Sequence, residues 1–150
     1  MVSLKAIKNF LDLQHIAVIG ASRDTRKFGH LACKQLKLCG KTIYPVNPNS
    51  EFILEEKCYA SVQDLPAEVE GAVIIVNKNL TIKIIEELAL KKIHNIWIQT
   101  GCESKKAIET SVKNNICPVT GECIFMYLEP LAFPHRFHRF FKKIAGKYPT

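Results

Sequence analysis

The stretch Ile16-Ala17-Val18-Ile19-Gly20-Ala21-Ser22-Arg23-Asp24-Thr25-Arg26-Lys27-Phe28-Gly29 decides the fold. Four successive apolar residues ending at a glycine are the pattern of a strand covered on both faces, as in parallel sheets flanked by helices. Phe28, Leu31, Ala32, Leu36 and Cys39 then recur at helical spacing and stop at Gly40, a residue suited to the left-handed position after a helix. Thr42-Ile43-Tyr44-Pro45-Val46 follows as a second strand. Residues 16–46 therefore read as one strand–helix–strand unit of ordinary size.

The same alternation continues along the chain. Lys57 to Leu65 reads as a short edge strand or turn with a helical turn near Ser61 to Leu65. Ala72-Val73-Ile74-Ile75-Val76 is a second buried run, and Ile82, Ile85, Leu88 and Ala89 form the inner stripe of the next helix. Ile96-Trp97-Ile98-Gln99 gives another strand. The helix after it should turn Ala107, Ile108 and Val112 inward, before a last strand at Ile116-Cys117-Pro118-Val119. Strands alternating with helices predict an α/β fold: a Rossmann-like, doubly wound, mainly parallel sheet with helices on both faces and right-handed crossovers. An opening helix within Met1 to Leu13 precedes this core. Behind it Phe133, Phe137, Phe140, Phe141 and Ile144 alternate with Arg136, Arg139, Lys142 and Lys143, which predicts an amphipathic basic and aromatic helix at about 131–146. No repeat or long linker interrupts the order, so residues 1–150 are expected to form a single domain.

Composition narrows the partners. The 150 residues are 47% hydrophobic, a globular balance, and no stretch approaches the ~18 apolar residues of a membrane span. Met1 to Leu13 carries Lys5 and Lys8 within its apolar pattern and lacks the form of a secretory signal. Six cysteines, without close CxxC pairs, fit reduced thiols in a cytoplasmic protein. The net charge of +7 serves nucleic acid, an anionic membrane or an anionic small ligand alike, so charge alone does not choose. The order of elements favours the small ligand, and no nucleic acid is expected.

In open parallel sheets ligands bind beyond the carboxyl ends of the strands, where the winding reverses, and the first strand-to-helix turn holds phosphate. Gly20 lets a backbone come close, Ser22 and the amides at the next helix start can donate hydrogen bonds to an anion, and Arg23, Arg26 and Lys27 add charge. An NAD site would show GxGxxG and, about 20 residues on, an acidic residue for the ribose hydroxyls. Here one glycine stands at the turn, and the second strand ends in the uncharged Pro45-Val46-Asn47-Pro48. That corner, next to basic groups, suits an adenosine bearing an extra phosphate better than a free ribose diol. The plainer alternatives are a tight turn with a solvated basic face and two prolines that merely stop a strand.

Ile16 to Ser22, Pro45-Val46-Asn47-Pro48, Glu56-Lys57-Cys58-Tyr59 and Gln99-Thr100-Gly101 together resemble the small stand-alone CoA-binding proteins, which are similar to the CoA-binding domain of succinyl-CoA synthetase α subunits. The resemblance covers roughly Leu13 to Leu128 in the right order. It implies a cofactor, CoA or an acyl-CoA, with Gly20, Ala21 and Ser22 at the pyrophosphate and Arg23 or Lys27 at the phosphates more generally. Val46, Asn47 and Pro48 would border the adenosine. Val76, Asn77 and Lys78 would end the fourth strand beside the ligand, Gln99, Thr100 and Gly101 would face the pantetheine arm, and Gly121-Glu122-Cys123 would close the site. The turn Arg23-Asp24-Thr25-Arg26 and the tail after Leu128 depart from the pattern.

Because CoA ends in a thiol, Cys123 near its pantetheine end could form a mixed disulfide or accept an acyl group; the alternative is a small buried hydrophobe. Cys117, Cys123, His135 and His138 have the wrong gaps for a zinc site, so no metal is expected. His15, His30 and His94 read as surface or helix-face residues, and no catalytic triad is visible, so no catalytic residue is assigned. The expected function is non-catalytic binding of CoA or an acyl-CoA through the phosphate-binding turn. Two other classes stand beside it: an NAD(P)-dependent or thiol-dependent acyl-transfer enzyme, and an interaction protein whose basic, aromatic C-terminal helix docks a protein partner, a membrane or RNA, although that helix is expected first to pack its aromatic face on the domain.

Overall fold

The computed structural model describes residues 2–128. The predicted helix at about 131–146, and with it both the packing and the docking roles read for it, lies outside the described residues. In chain order the elements are α1 (Leu4–Leu11), β1 (His15–Ile19), α2 (Phe28–Leu38), β2 (Thr42–Val46), a hairpin of β3 (Phe52–Ile53) and β4 (Glu56–Lys57), a 3-10 turn (Val62–Asp64), β5 (Gly71–Ile74), α3 (Lys78–Leu90), β6 (Asn95–Ile98), α4 (Lys105–Lys113) and a second 3-10 turn (Ile124–Met126).

Four strands form one parallel sheet in the order β2-β1-β5-β6, with Ile19 opposite Val46 on one side and Ile74 on the other. Alternation along each strand sorts the apolar side chains to two faces. Ile16, Val18, Ile43, Val73 and Trp97 share a core with Ile7 and Phe10 of α1 and with Ala32, Cys33 and Leu36 of α2. Ala17, Ile19, Ala72, Ile74, Ile96 and Ile98 share the other core with Ile84, Ile85 and Leu88 of α3 and with Ala107 of α4. Helices thus cover both faces, which is why the strands read as unbroken apolar runs. Among the described residues no helix is long and apolar enough to cross a membrane.

Several local expectations change. The last strand shrinks to a single parallel bridge between Trp97 and Val119, where the Val119 amide donates to the Ile96 carbonyl and its carbonyl accepts from the Ile98 amide, each at 2.9 Å. In α4 Ala107 and Ser111 face inward, with the Ser111 hydroxyl donating to the Ala107 carbonyl at 3.0 Å, while Ile108 and Val112 are 38% and 64% exposed. Small residues at i, i+4 form the stripe that packs α4 on α3, and the apolar pair lies outside it. Leu31 of α2 likewise faces out. His30, read as a surface or helix-face residue, lies on the buried face of α2. The β3–β4 hairpin was not expected, since its two-residue turn, Leu54-Glu55, lacks the glycine or asparagine that positive φ favours; φ is 51° and 66°. Lys37 of α2 holds this turn, donating to the Leu54 carbonyl at 3.0 Å and pairing with Glu56 at 2.7 Å.

At the start of β1 the exposed Glu70 carboxylate accepts from the His15 and Gln14 amides at 2.8 and 2.7 Å. Those two bonds, His15 first, hold its pKa below the usual carboxylate range. A lowered folded-state pKa contributes stability above the unfolded value, and that contribution is lost as pH falls through the folded value. Glu70→Gln is therefore expected to lower the melting temperature at pH 7, with the gap to the parent protein closing below about pH 4, as thermal melts across pH would show.

Candidate functional site

The chain leaves β1 toward β2 on one side and returns to β5 on the other, so the winding reverses between β1 and β5. A crevice of about 490 Å³ lies beyond the carboxyl ends of these strands. Its floor is Ile19-Gly20-Ala21-Ser22 with Ile75 and Val76. Its walls are Val46-Asn47-Pro48, Ala60-Ser61-Val62, and Leu80, Lys83, Ile84 and Glu87 of α3. Lys27 stands at the start of α2.

Gly20 makes the turn possible. Its φ is +92°, and an added Cβ would lie 2.1 Å from the Ile75 carbonyl oxygen. Gly29, in the first turn of α2, is the second tight point: a Cβ there would lie 2.0 Å from the Gly20 carbonyl oxygen. The helix start can thus press against the turn, as a helix must where its amides are to reach a ligand.

Side chains from Ser3, Asn77 and Ser104 cap α1, α3 and α4. Among the described residues no side chain caps α2, and no acidic residue occupies its first turn. Its N-terminal amides and the positive end of its dipole therefore face the turn uncompensated, with Lys27 at the cap position. Ser22 Oγ accepts from the Asp24 amide at 3.1 Å, which leaves its hydroxyl proton to donate. Arg26 is engaged within the loop by a two-point pair with Asp24, 3.1 Å on each oxygen, and that guanidinium holds the Asp24 carboxyl below its usual range. On the α3 wall Lys83 and Glu87 pair at 3.6 Å.

The end of β2 is tied to the turn. Asn47 Nδ2 donates to the Ala21 carbonyl at 2.7 Å, its Oδ1 accepts from the Asn49 amide at 2.8 Å, and its backbone amide donates to Tyr59 at 2.9 Å. The last bond belongs to a single parallel bridge, Val46 to Tyr59, that carries the chain into the Ala60–Val62 wall.

Of the expected contact residues, Gly20, Ala21, Ser22, Lys27, Val46, Asn47, Pro48 and Val76 meet in this crevice. Arg23 is exposed beside it. Asn77 caps α3 by accepting from the Leu80 amide, and Lys78 begins that helix. Gln99 is buried and accepts the Ile124 amide at 3.1 Å, holding the closing segment; Thr100 and Gly101 are exposed just past β6. Cys123 opens the second 3-10 turn. These last residues sit outside the crevice lining. Sequence reasoning missed the α3 wall, Ala60–Val62 and Gly29; of these only Gly29, in the quoted turn, carried a signal. Among the described residues no three metal-ligating side chains converge.

A Rossmann-like sheet with its crevice at the switch point, and an uncapped helix start pressed on that crevice, defines the class: an α/β domain with an open site beyond the carboxyl ends of its strands. Residues 14–129 match the CoA binding domain family, and the chain belongs to that family. It is similar to an ADP-forming acetate–CoA ligase II of Archaeoglobus fulgidus (46% identity over 80 residues, 52% of this chain and 12% of the relative). The ADP-forming acetate–CoA ligase II subunit alpha of Pyrococcus furiosus is 36% identical over 104 residues, 65% of this chain and 23% of that subunit. The chain thus spans between about an eighth and a quarter of these curated relatives. A solved conserved hypothetical protein of Pyrococcus furiosus matches with a TM-score of 0.73 and 32% identity, covering 75% of this chain and 97% of that one.

Proposed function

We propose that the crevice binds coenzyme A or an acyl-CoA without performing chemistry on it. The observation that carries this reading is the uncapped start of α2, pressed by Gly29 onto the Gly20-Ala21-Ser22 turn at the switch point, in a chain of the CoA binding domain family. The pyrophosphate would rest on that turn and on Lys27, and the adenosine would lie between Val46–Pro48 and Ala60–Val62. The end of β2 presents no carboxylate to a ribose diol, and the Asn47 side chain is spent on Ala21 and Asn49, which argues against NAD.

Binding rather than thiol-dependent acyl transfer is supported by the lining of the crevice, which among the described residues includes no cysteine. Away from it, burial pushes the Cys33 thiol up to about 12 and raises that of Cys102.

Calorimetric melting tests the reading. A ligand that binds only the folded state adds about 2.7 kcal/mol at a hundred times its Kd, so CoA is expected to raise the melting temperature with concentration while NAD moves it far less. Equal shifts from CoA, NAD and ATP would mean a generic nucleotide pocket and refute the assignment.

A further inference from the structure

Two side chains from different elements close on consecutive carbonyls of the phosphate turn. Asn47, beyond β2, donates to the Ala21 carbonyl at 2.7 Å. His30, in the first turn of α2 and only 8% exposed, has Nδ1 2.9 Å from the Ser22 carbonyl. A carbonyl oxygen only accepts, so the ring must carry its proton on Nδ1. The orientation of the Asn47 amide is fixed in the same way, because its other end accepts from the Asn49 amide.

In a trans peptide plane the N–H is antiparallel to the preceding C=O. Holding the Ala21 oxygen toward Asn47 therefore turns the Ser22 N–H away from Asn47, and holding the Ser22 oxygen toward His30 turns the Arg23 N–H away from His30. Among the described residues neither amide has a hydrogen-bond partner. The turn's acceptors are thus satisfied internally, while two successive donors are left over. Had either peptide rotated the other way, a carbonyl dipole would face the ligand's negative charge.

We propose that His30 and Asn47 are positioning residues for the anion: they hold the two carbonyls of the turn back and so present the Ser22 and Arg23 amides to the ligand's pyrophosphate. This rests on the reading of the crevice as a CoA site. It also gives the buried His30 a task that its place in an apolar helix face does not explain.

The test uses the full chain with three ligands, CoA, ADP and adenosine, titrated by calorimetry, and inorganic pyrophosphate followed at the backbone amide resonances. His30→Leu removes the donor, and His30→Asn replaces it at nearly the same place. His30→Leu is expected to weaken CoA and ADP by about tenfold or more and adenosine by less than about twofold, while His30→Asn recovers to within about threefold of the parent protein. In the parent, pyrophosphate should move the Ser22 and Arg23 amide resonances more than any others. Unchanged CoA affinity in a folded His30→Leu, equal losses for ADP and adenosine, or no rescue by asparagine would overturn the proposal. If His30→Leu does not fold, the pyrophosphate titration of the parent decides, and still Ser22 and Arg23 resonances overturn it. A parent protein that binds pyrophosphate at these amides but not CoA would refute the CoA reading and leave the positioning role standing.

Discussion

Gly20→Val is expected to unfold most of the site and lower the melting temperature by roughly 6 °C or more. Two costs add. A branched residue at φ +92° carries a conformational penalty of about 1–2 kcal/mol, and its Cβ would lie 2.1 Å from the Ile75 carbonyl oxygen, so β1 and the segment after β5 must part. Together these exceed about 3 kcal/mol, and a domain of this size loses roughly 2–4 °C per kcal/mol. Gly40→Ala is the control: φ there is +79°, but nothing lies within 4 Å of an added Cβ, so only the conformational cost of about 1–2 kcal/mol applies. Thermal melts of the two variants measure the difference. A Gly20→Val protein as stable as Gly40→Ala would show that the turn is not packed as described.

Ser22→Asp is expected to keep the fold and lose the ligand. An aspartate oxygen can still accept the Asp24 amide that Ser22 Oγ accepts at 3.1 Å, so the turn has no reason to open. The new carboxylate would stand against the pyrophosphate at the uncapped start of α2, and like charges a few ångström apart near a protein surface repel by several kcal/mol before screening. CoA affinity should fall on the order of 100-fold, less at high salt. Calorimetric titration at two ionic strengths checks it, and unchanged affinity in a folded variant would remove Ser22 from the anion's path.

Much of this architecture was readable because it depends on short-range patterns. Ile16–Ile19 and Ala72–Ile74 are apolar throughout because helices cover both faces, and the reversal of winding follows from the order of such runs. Gly20 announced the turn. The walls were harder. Lys83 and Glu87 look like an ordinary solvated pair on α3, and only the fold swings them over the crevice. His30 sits among polar and apolar neighbours alike, and its burial is decided by how closely Gly29 lets α2 approach. The hairpin at residues 52–57 escaped because its turn is held from a distance by Lys37 rather than by its own residues. In α4 the apolar letters Ile108 and Val112 outweighed the small residues that form the contact.

The two ends of the crevice are made of different material. On the proposed reading the anion end would grip through main-chain amides of the Gly20-Ala21-Ser22 turn, which every amino acid supplies and which His30 and Asn47 hold in place, whereas Pro48, Ala60–Val62 and the α3 residues would act through their side chains. Substitution at Pro48, Ala60–Val62 or α3 would therefore redraw the outline of what the far end accepts, one side chain at a time, and leave the hold on a negative charge as it was. A lineage carrying this scaffold inherits its anchor and is free to change its reading head.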